Sequence, residues 1–251
     1  MNSFYCVNYN VIALTLRMHT AKGCIEEIYL DGSSAARLSC PPALIPAPGQ
    51  YVLASTDMDP HATIAQPLFS AGACPNGFFA APPFPAHWLP GAILNLRGPL
   101  GHGFTLPATA RKVVLAAYHV PAARVLALLA PALTNKASIL LLSDQPPANL
   151  PSALEILPLS ALAESLPWAD YLALDTTRAH LDELLPQLLP DHPRGYANST
   201  PLPVRGGSAQ ILLGTPMPCA GMADCGVCAL SLPHLKGYRL ACKDGPVFDL
   251  Y

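Results

Sequence analysis

The sequence predicts an α+β chain of several domains: a β-rich domain, an α/β domain built on a parallel sheet, and a small cysteine-bearing domain. Three observations predict it. Short apolar runs bounded by Gly, Pro, Ser or Asp fill the first hundred residues. From Arg111 onward, strand-like and helix-like runs alternate. Four cysteines then crowd between Cys219 and Cys242. The boundaries fall at 1–108, 109–200 and 201–251.

In the first domain the strand-like runs are Val11 to Leu16, Glu27 to Leu30, Gln50 to Leu53 and Ala92 to Leu96. In the second, Val113 to Tyr118 reads as a buried strand and Pro121 to Leu133 as a helix. Pro121 is tolerated in its first turn, where the missing N–H has no intrahelical partner. Ser138 to Leu142, Glu155 to Leu157 and Tyr171 to Leu174 are further strands, and Arg178 to Leu189 is a helix. Asp191 to Val204, rich in Pro, Gly, Asn and Ser, reads as a linker, and Ala209 to Leu213 as a last strand.

Composition narrows the function. Charged residues are 12% of the chain, about half the usual share, and prolines number 29 of 251. Such a chain builds short elements between rigid turns, not solvated disorder. Net charge is −2, with no basic stripe to neutralise phosphates, so nucleic acid is not an expected partner. Low charge suits a surface covered by another protein. The most apolar stretch, Val113 to Leu133, is interrupted by His119, Pro121, Arg124 and Pro131, so no membrane span is expected. Residues 1–10 lack the pattern of a signal peptide, and a cytoplasmic location is expected.

In a reducing compartment, clustered cysteines point to metal rather than disulfides. Cys6, Cys24, Cys40 and Cys74 are scattered and read as free, mostly buried thiols. Cys219, Cys225, Cys228 and Cys242 are different: their spacing is C-x5-C-x2-C-x13-C. Plant-type ferredoxins hold a 2Fe–2S cluster with C-x4-C-x2-C and a distant fourth cysteine. Ala220, Gly221, Ala223 and Gly226 are small enough for a loop to wrap closely and aim N–H groups at sulfur. Spacing alone leaves a structural zinc site open, with His234 nearby, as well as unligated thiols.

The segment Pro216-Met217-Pro218-Cys219, Cys225-Gly226-Val227-Cys228-Ala229-Leu230 and Cys242-Lys243-Asp244-Gly245-Pro246-Val247-Phe248 resembles the end of the electron-transfer subunit of bacterial dihydroorotate dehydrogenase. That family is ferredoxin-reductase-like. Pro48-Gly49-Gln50-Tyr51-Val52 and Gly98-Pro99-Leu100-Gly101-His102-Gly103-Phe104 resemble two further stretches of it. The resemblance implies an N-terminal flavin-reductase-like β-barrel, a nucleotide-binding-like α/β domain and a C-terminal 2Fe–2S cluster domain. It implies an accessory redox subunit of pyrimidine biosynthesis, without catalytic residues of its own. Its partner would be a flavin-containing dihydroorotate dehydrogenase catalytic subunit. The loop N–H groups and Asp224 would tune the cluster, and Met222, Val227, Leu230 and Phe248 would form a docking rim.

The sequence departs from this family at three places. The cysteine loop is one residue longer between Cys219 and Cys225. The family's Arg-x-Tyr/Phe-Ser motif, which grips the FAD pyrophosphate and stacks on the flavin, corresponds to Gln66-Pro67-Leu68-Phe69-Ser70, without the arginine. Between Leu38 and Ala110 the only Lys or Arg is Arg97. FAD binding would therefore fall to Phe69, Ser70, Arg97, Gly98, Pro99 and backbone groups. The family's glycine-rich nucleotide turn is replaced by Ala116-Ala117-Tyr118-His119-Val120-Pro121, and its Cys-Gly-Pro by Asp175-Thr176-Thr177. NAD binding is not expected, and His119 reads as a hydrogen-bonded structural residue. The alternative is a non-catalytic binding or assembly protein with a structural four-cysteine zinc site.

Overall fold

The computed structural model describes residues 19–29, 35–56, 64–188, 204–205, 207–232 and 237–250. Val11 to Leu16, Cys6, His234 and the predicted linker up to residue 203 lie outside them.

The first half is a closed antiparallel barrel. Its strands are β1 (His19–Ile28), β2 (Ala36–Ser39), β3 (Tyr51–Ser55), β4 (Gln66–Cys74), β5 (Gly77–Ala80) and β6 (Ile93–Leu100), in the order β1-β2-β5-β4-β3-β6. Closure removes the exposed sheet edges. Ile25, Leu38, Leu44, Val52, Leu68, Phe78, Leu94 and Leu96 fill its interior. Of the described scattered cysteines, Cys40 is buried, and Cys24 and Cys74 are half-buried.

The second half is a six-stranded sheet. It contains β7 (Lys112–Ala117), β8 (Ser138–Leu142), β9 (Leu154–Leu157), β10 (Tyr171–Thr177), β11 (Ser208–Gly214) and β14 (Val247–Asp249). The order is β14-β11-β10-β7-β8-β9, parallel throughout except for the antiparallel β11–β14 pair. Val113 to Ala117 and Ile139 to Leu142 are buried without alternation, as in a sheet covered on both faces. The cysteine segment leaves this sheet after Gly214 and returns to it at Val247. Between them lie the two-stranded β12 (Ala229–Leu230) and β13 (Arg239–Leu240), then α5 (Ala241–Asp244).

The predicted helix from Pro121 to Leu133 is two short helices, α1 (Ala123–Leu126) and α2 (Leu129–Thr134). Pro131 explains the break. It lacks the N–H that would bond to Ala127, and its ring crowds that carbonyl. α3 (Leu162–Ser165) is also short. The predicted helix at Arg178 opens with a 3-10 turn over Arg178–His180 and continues as α4 (Leu181–Leu188). No helix among the described residues is long and apolar enough to cross a membrane.

Buried polar contacts fix the sheet domain at two places, and the first also reaches the chain that leaves the barrel. Gln210 of β11 is buried, yet its amide is fully used. Its Oε1 accepts from the Thr105 N–H and the Tyr171 hydroxyl, both at 2.7 Å, and its Nε2 donates to Asp249 at 2.9 Å. The second place is an ion pair. Arg124 of α1 meets Asp175 of β10, with Nε–Oδ2 and Nη2–Oδ1 both 2.8 Å, and Asp175 is wholly buried. The Oδ1 contact is a charge contact without hydrogen-bond geometry, so that oxygen is paired but unsatisfied as an acceptor.

Burial raises the Asp175 carboxyl from 3.8 to about 6, against the opposing pull of Arg124. The folded protein therefore takes up this proton before the unfolded chain does as pH falls. Stability from this group is full below about pH 4 and lost as pH rises through about 6, a change of about 3 kcal/mol. Asp175→Asn should flatten that part of the urea-midpoint profile between pH 4 and 6. A profile parallel to the wild type would show that Asp175 does not titrate there.

Candidate functional site

The loop between β11 and β12 and the short α5 bring the four clustered cysteines together in two pairs. Cys228 Sγ lies 3.3 Å from Cys242 Sγ, where both are buried. The half-buried Cys219 and the exposed Cys225 form the second pair, near enough for the Cys225 side chain to lower the Cys219 thiol. Two thiolates on one tetrahedral metal, with bonds of about 2.3 Å, sit about 3.8 Å apart. The inner pair needs only a small movement to share a metal.

The loop takes its shape from left-handed backbone. Ala220, Gly221, Ala223 and Gly226 all have φ between 51° and 72°. At Gly221 a side chain is also excluded by space, because a Cβ there would lie 3.1 Å from the Tyr51 hydroxyl. This winding turns N–H groups inward. Those of Asp224 and Cys225, the Cys225 side chain and the Met222 N–H together lower the Cys219 thiol to about 6. Cys242 behaves oppositely: burial, and then its neighbour Cys228, push it up to about 12, although the Ala223 N–H also points at it. Among the described residues, no three His, Cys, Asp or Glu side chains gather closely enough to hold a single ion.

The barrel supports the loop from below. The Tyr51 hydroxyl donates to the Cys242 carbonyl at 3.3 Å, and the Arg97 guanidinium donates to the Ala220 carbonyl. The Pro-Gly-Gln, Gly-Pro-Leu-Gly and Asp-Gly-Pro-Val stretches meet beside it. The His102 N–H donates to the Gly245 carbonyl at 2.6 Å, the Gln50 amide to the Gly101 carbonyl at 3.0 Å, and the Phe104 N–H to the Pro48 carbonyl at 2.8 Å. Gly101, at φ 75°, lies so close to the return that a Cβ would stand 2.5 Å from Pro246. Of the four rim residues expected at the surface, Met222 is 65% and Val227 45% exposed, while Leu230 and Phe248 are buried in the core. Tyr238, 78% exposed just before β13, was not legible as a surface residue from its position in the sequence.

The residues expected to meet FAD are arranged differently. Phe69 is 8% exposed; the Tyr51 ring packs on it at 5.5 Å and the Arg124 guanidinium lies 5.2 Å above it. Ser70 is buried, and its hydroxyl accepts from the Gly72 N–H at 3.1 Å. Arg97 is turned to the cysteine loop instead of to a pyrophosphate, while Gly98 is buried and Pro99 half-buried. A flavin stacked on Phe69 would have to displace Arg124 from Asp175. As arranged, these residues do not fit it.

The nucleotide region has a turn without glycine. In an open parallel sheet, ligands enter the crevice where strand order reverses, here between β7 and β10. The Tyr118 N–H donates to the Asp175 carbonyl at 2.8 Å, continuing the β7–β10 ladder, and the Thr176 hydroxyl donates to the Tyr118 carbonyl at 3.1 Å at the base of that crevice. The buried Tyr118 carries its hydroxyl to the Gln187 amide at 2.8 Å. His119 is not the hydrogen-bonded residue expected. It is exposed at φ 55°, its ring 4.9 Å from His180 and its Nε2 4.0 Å from Glu183. A cleft of about 250 Å³ lies beside it, against Pro121, Ser143 and Asp144, below the 300 Å³ or so of an ordinary ligand pocket.

No family profile and no curated protein matches the chain. Solved structures do. The ferredoxin reductase in carbazole 1,9a-dioxygenase matches with a TM-score of 0.54 and 18% identity, over 70% of this chain and 66% of that one. Its FAD apo form matches at 0.52 and 18%, over 72% and 66%. A ferredoxin NADP+ reductase from Neisseria gonorrhoeae with bound FAD and NADP gives 0.49 and 12%, over 78% and 98%. The chain thus spans just under two thirds of the carbazole reductase chains. The fold is ferredoxin-reductase-like: a six-stranded antiparallel barrel followed by a parallel-sheet domain.

The glycine-free turn from Ala116 to Pro121 predicts that isothermal calorimetry at millimolar NADH or NADPH detects no saturable binding. A saturating isotherm would show that the turn at Tyr118 opens.

Proposed function

We propose that this chain is an electron-transfer subunit that holds a 2Fe–2S cluster with Cys219, Cys225, Cys228 and Cys242. The observation that carries this is the arrangement of the thiols as two pairs, three from one loop and Cys242 from α5. A structural zinc ion needs four ligands around one point. A dinuclear cluster needs two cysteines for each iron, which is what Cys219–Cys225 and Cys228–Cys242 offer. Such a cluster supplies one-electron transfer. The chain's own residues prepare its place: the Asp224, Cys225 and Met222 N–H groups stabilise the Cys219 thiolate, and the burial of Cys228 and Cys242 keeps water from the inner pair.

The partner we propose is a flavoprotein, a dihydroorotate dehydrogenase-like catalytic subunit, which exchanges electrons with the loop. The exposed Cys225 and the neighbouring Met222, Val227 and Tyr238 support an approach from this side. The occupied face of Phe69 and the glycine-free turn at Tyr118 support a chain that relies on its partner for both flavin and nicotinamide chemistry.

Anaerobically purified protein should carry about two irons and two labile sulfides per chain, and Cys228→Ser should bleach it. One zinc without labile sulfide would replace this function by the structural-metal alternative. Met222→Glu should weaken association with the flavoprotein subunit at least tenfold in sedimentation or calorimetry while leaving the visible spectrum intact. Unaltered affinity would move the docking surface away from this rim.

A further inference from the structure

Arg97 comes from β6, where its register partners are Thr20 of β1 and Leu53 of β3. Its half-buried side chain leaves the barrel at the end that faces the cysteine loop. It donates to the carbonyl of Ala220, the residue directly after Cys219. The Tyr51 hydroxyl reaches the Cys242 carbonyl from β3. Two barrel donors thus hold the loop at both ends of the cysteine set. Tyr51 is neutral there, and burial raises its hydroxyl well above the ordinary 10.0. Arg97 alone brings a charge from the barrel. The charged groups on the facing elements are Asp224, exposed on the loop; Arg239 of β13; Lys243 of α5, exposed beside Cys242; Asp244, whose Oδ2 accepts from the Leu240 N–H at 2.8 Å; and Arg178, whose exposed guanidinium donates to the Val227 carbonyl at 3.3 Å.

We propose that Arg97 is a positioning residue of the cysteine site and that its guanidinium raises the reduction potential of the cluster held there. This rests on the iron–sulfur reading of the four cysteines. Reduction adds one negative charge to the site. A cation beside it, partly buried and therefore weakly screened, favours the reduced state over the oxidised one. Arginine suits the position because its planar fork can hold a backbone carbonyl while keeping its charge. The barrel then has a function toward the cluster that needs no flavin on Phe69.

The test is an anaerobic redox titration of the full chain, followed by the EPR signal of the reduced cluster. Arg97→Gln can keep the hydrogen bond to Ala220 but loses the charge. It should shift the reduction equilibrium about tenfold toward the oxidised form, about 59 mV for one electron. Arg97→Lys keeps the charge and should stay close to wild type. A Gln variant with an intact cluster and the wild-type potential overturns the assignment. If the Gln variant does not retain its cluster, the Lys variant decides, and a tenfold shift there overturns the role of charge. A wild-type chain with zinc and no labile sulfide overturns the iron–sulfur reading itself, which separates that failure from failure at Arg97.

Discussion

The contact of Gly101 and His102 with Gly245 and Pro246 is the constraint on which the rest depends. The end of the last barrel strand and the returning chain are far apart in sequence, and the cysteine loop is a long excursion from the sheet edge. The His102 N–H bond to Gly245, and the absence of a Cβ at Gly101, bring the last barrel strand against the returning chain. Val247 then pairs with Leu212 and closes the excursion. Cys242 is thereby delivered to Cys228, and the Tyr51 and Arg97 side chains come under the loop they hold. A side chain at Gly101 would push the return away and separate the inner thiol pair.

Where the fold would admit cofactors elsewhere, side chains occupy the space. Arg124 lies over Phe69 and is held there by Asp175, a carboxylate with no solvent contact. Removing one partner of such a pair leaves a buried charge and costs about 3–5 kcal/mol. The arrangement is therefore a firm lock between α1 and β10. Tyr118, Thr176 and the Asp175 carbonyl extend the β7–β10 ladder in the same region. Of the three regions that the ferredoxin-reductase-like fold and its cysteine extension offer, the cysteine loop is the one where four thiols gather.

Strands with continuous apolar runs were legible from sequence because a doubly covered sheet demands them: β7, β8 and β10 appear within a residue or two of where the runs begin. β4 and β5 were not, since Gln66 to Cys74 mixes Gln, Pro, Ser and Gly, and barrel closure supplies the pairing that propensity does not. The single helix expected from Pro121 to Leu133 failed at Pro131, a local rule visible in the sequence. At the cysteine site, the four residues and the small loop residues between them were legible. The supporting Tyr51 and Arg97 were not assigned to it, because they stand more than a hundred residues away and touch only its backbone.

By itself the sequence determined the order of β-rich, α/β and cysteine-bearing segments, and the four cysteines with their spacing. These are local properties, written in apolar periodicity, turn residues and short separations along the chain. Only the tertiary structure decided that the cysteines meet as two pairs and that Met222 and Val227 face outward while Leu230 and Phe248 turn inward. It alone turned Arg97 toward the loop and covered Phe69 with Arg124. Each of these depends on which surfaces come together after barrel and sheet dock, and packing between distant segments leaves no period or spacing in the sequence from which it could be read.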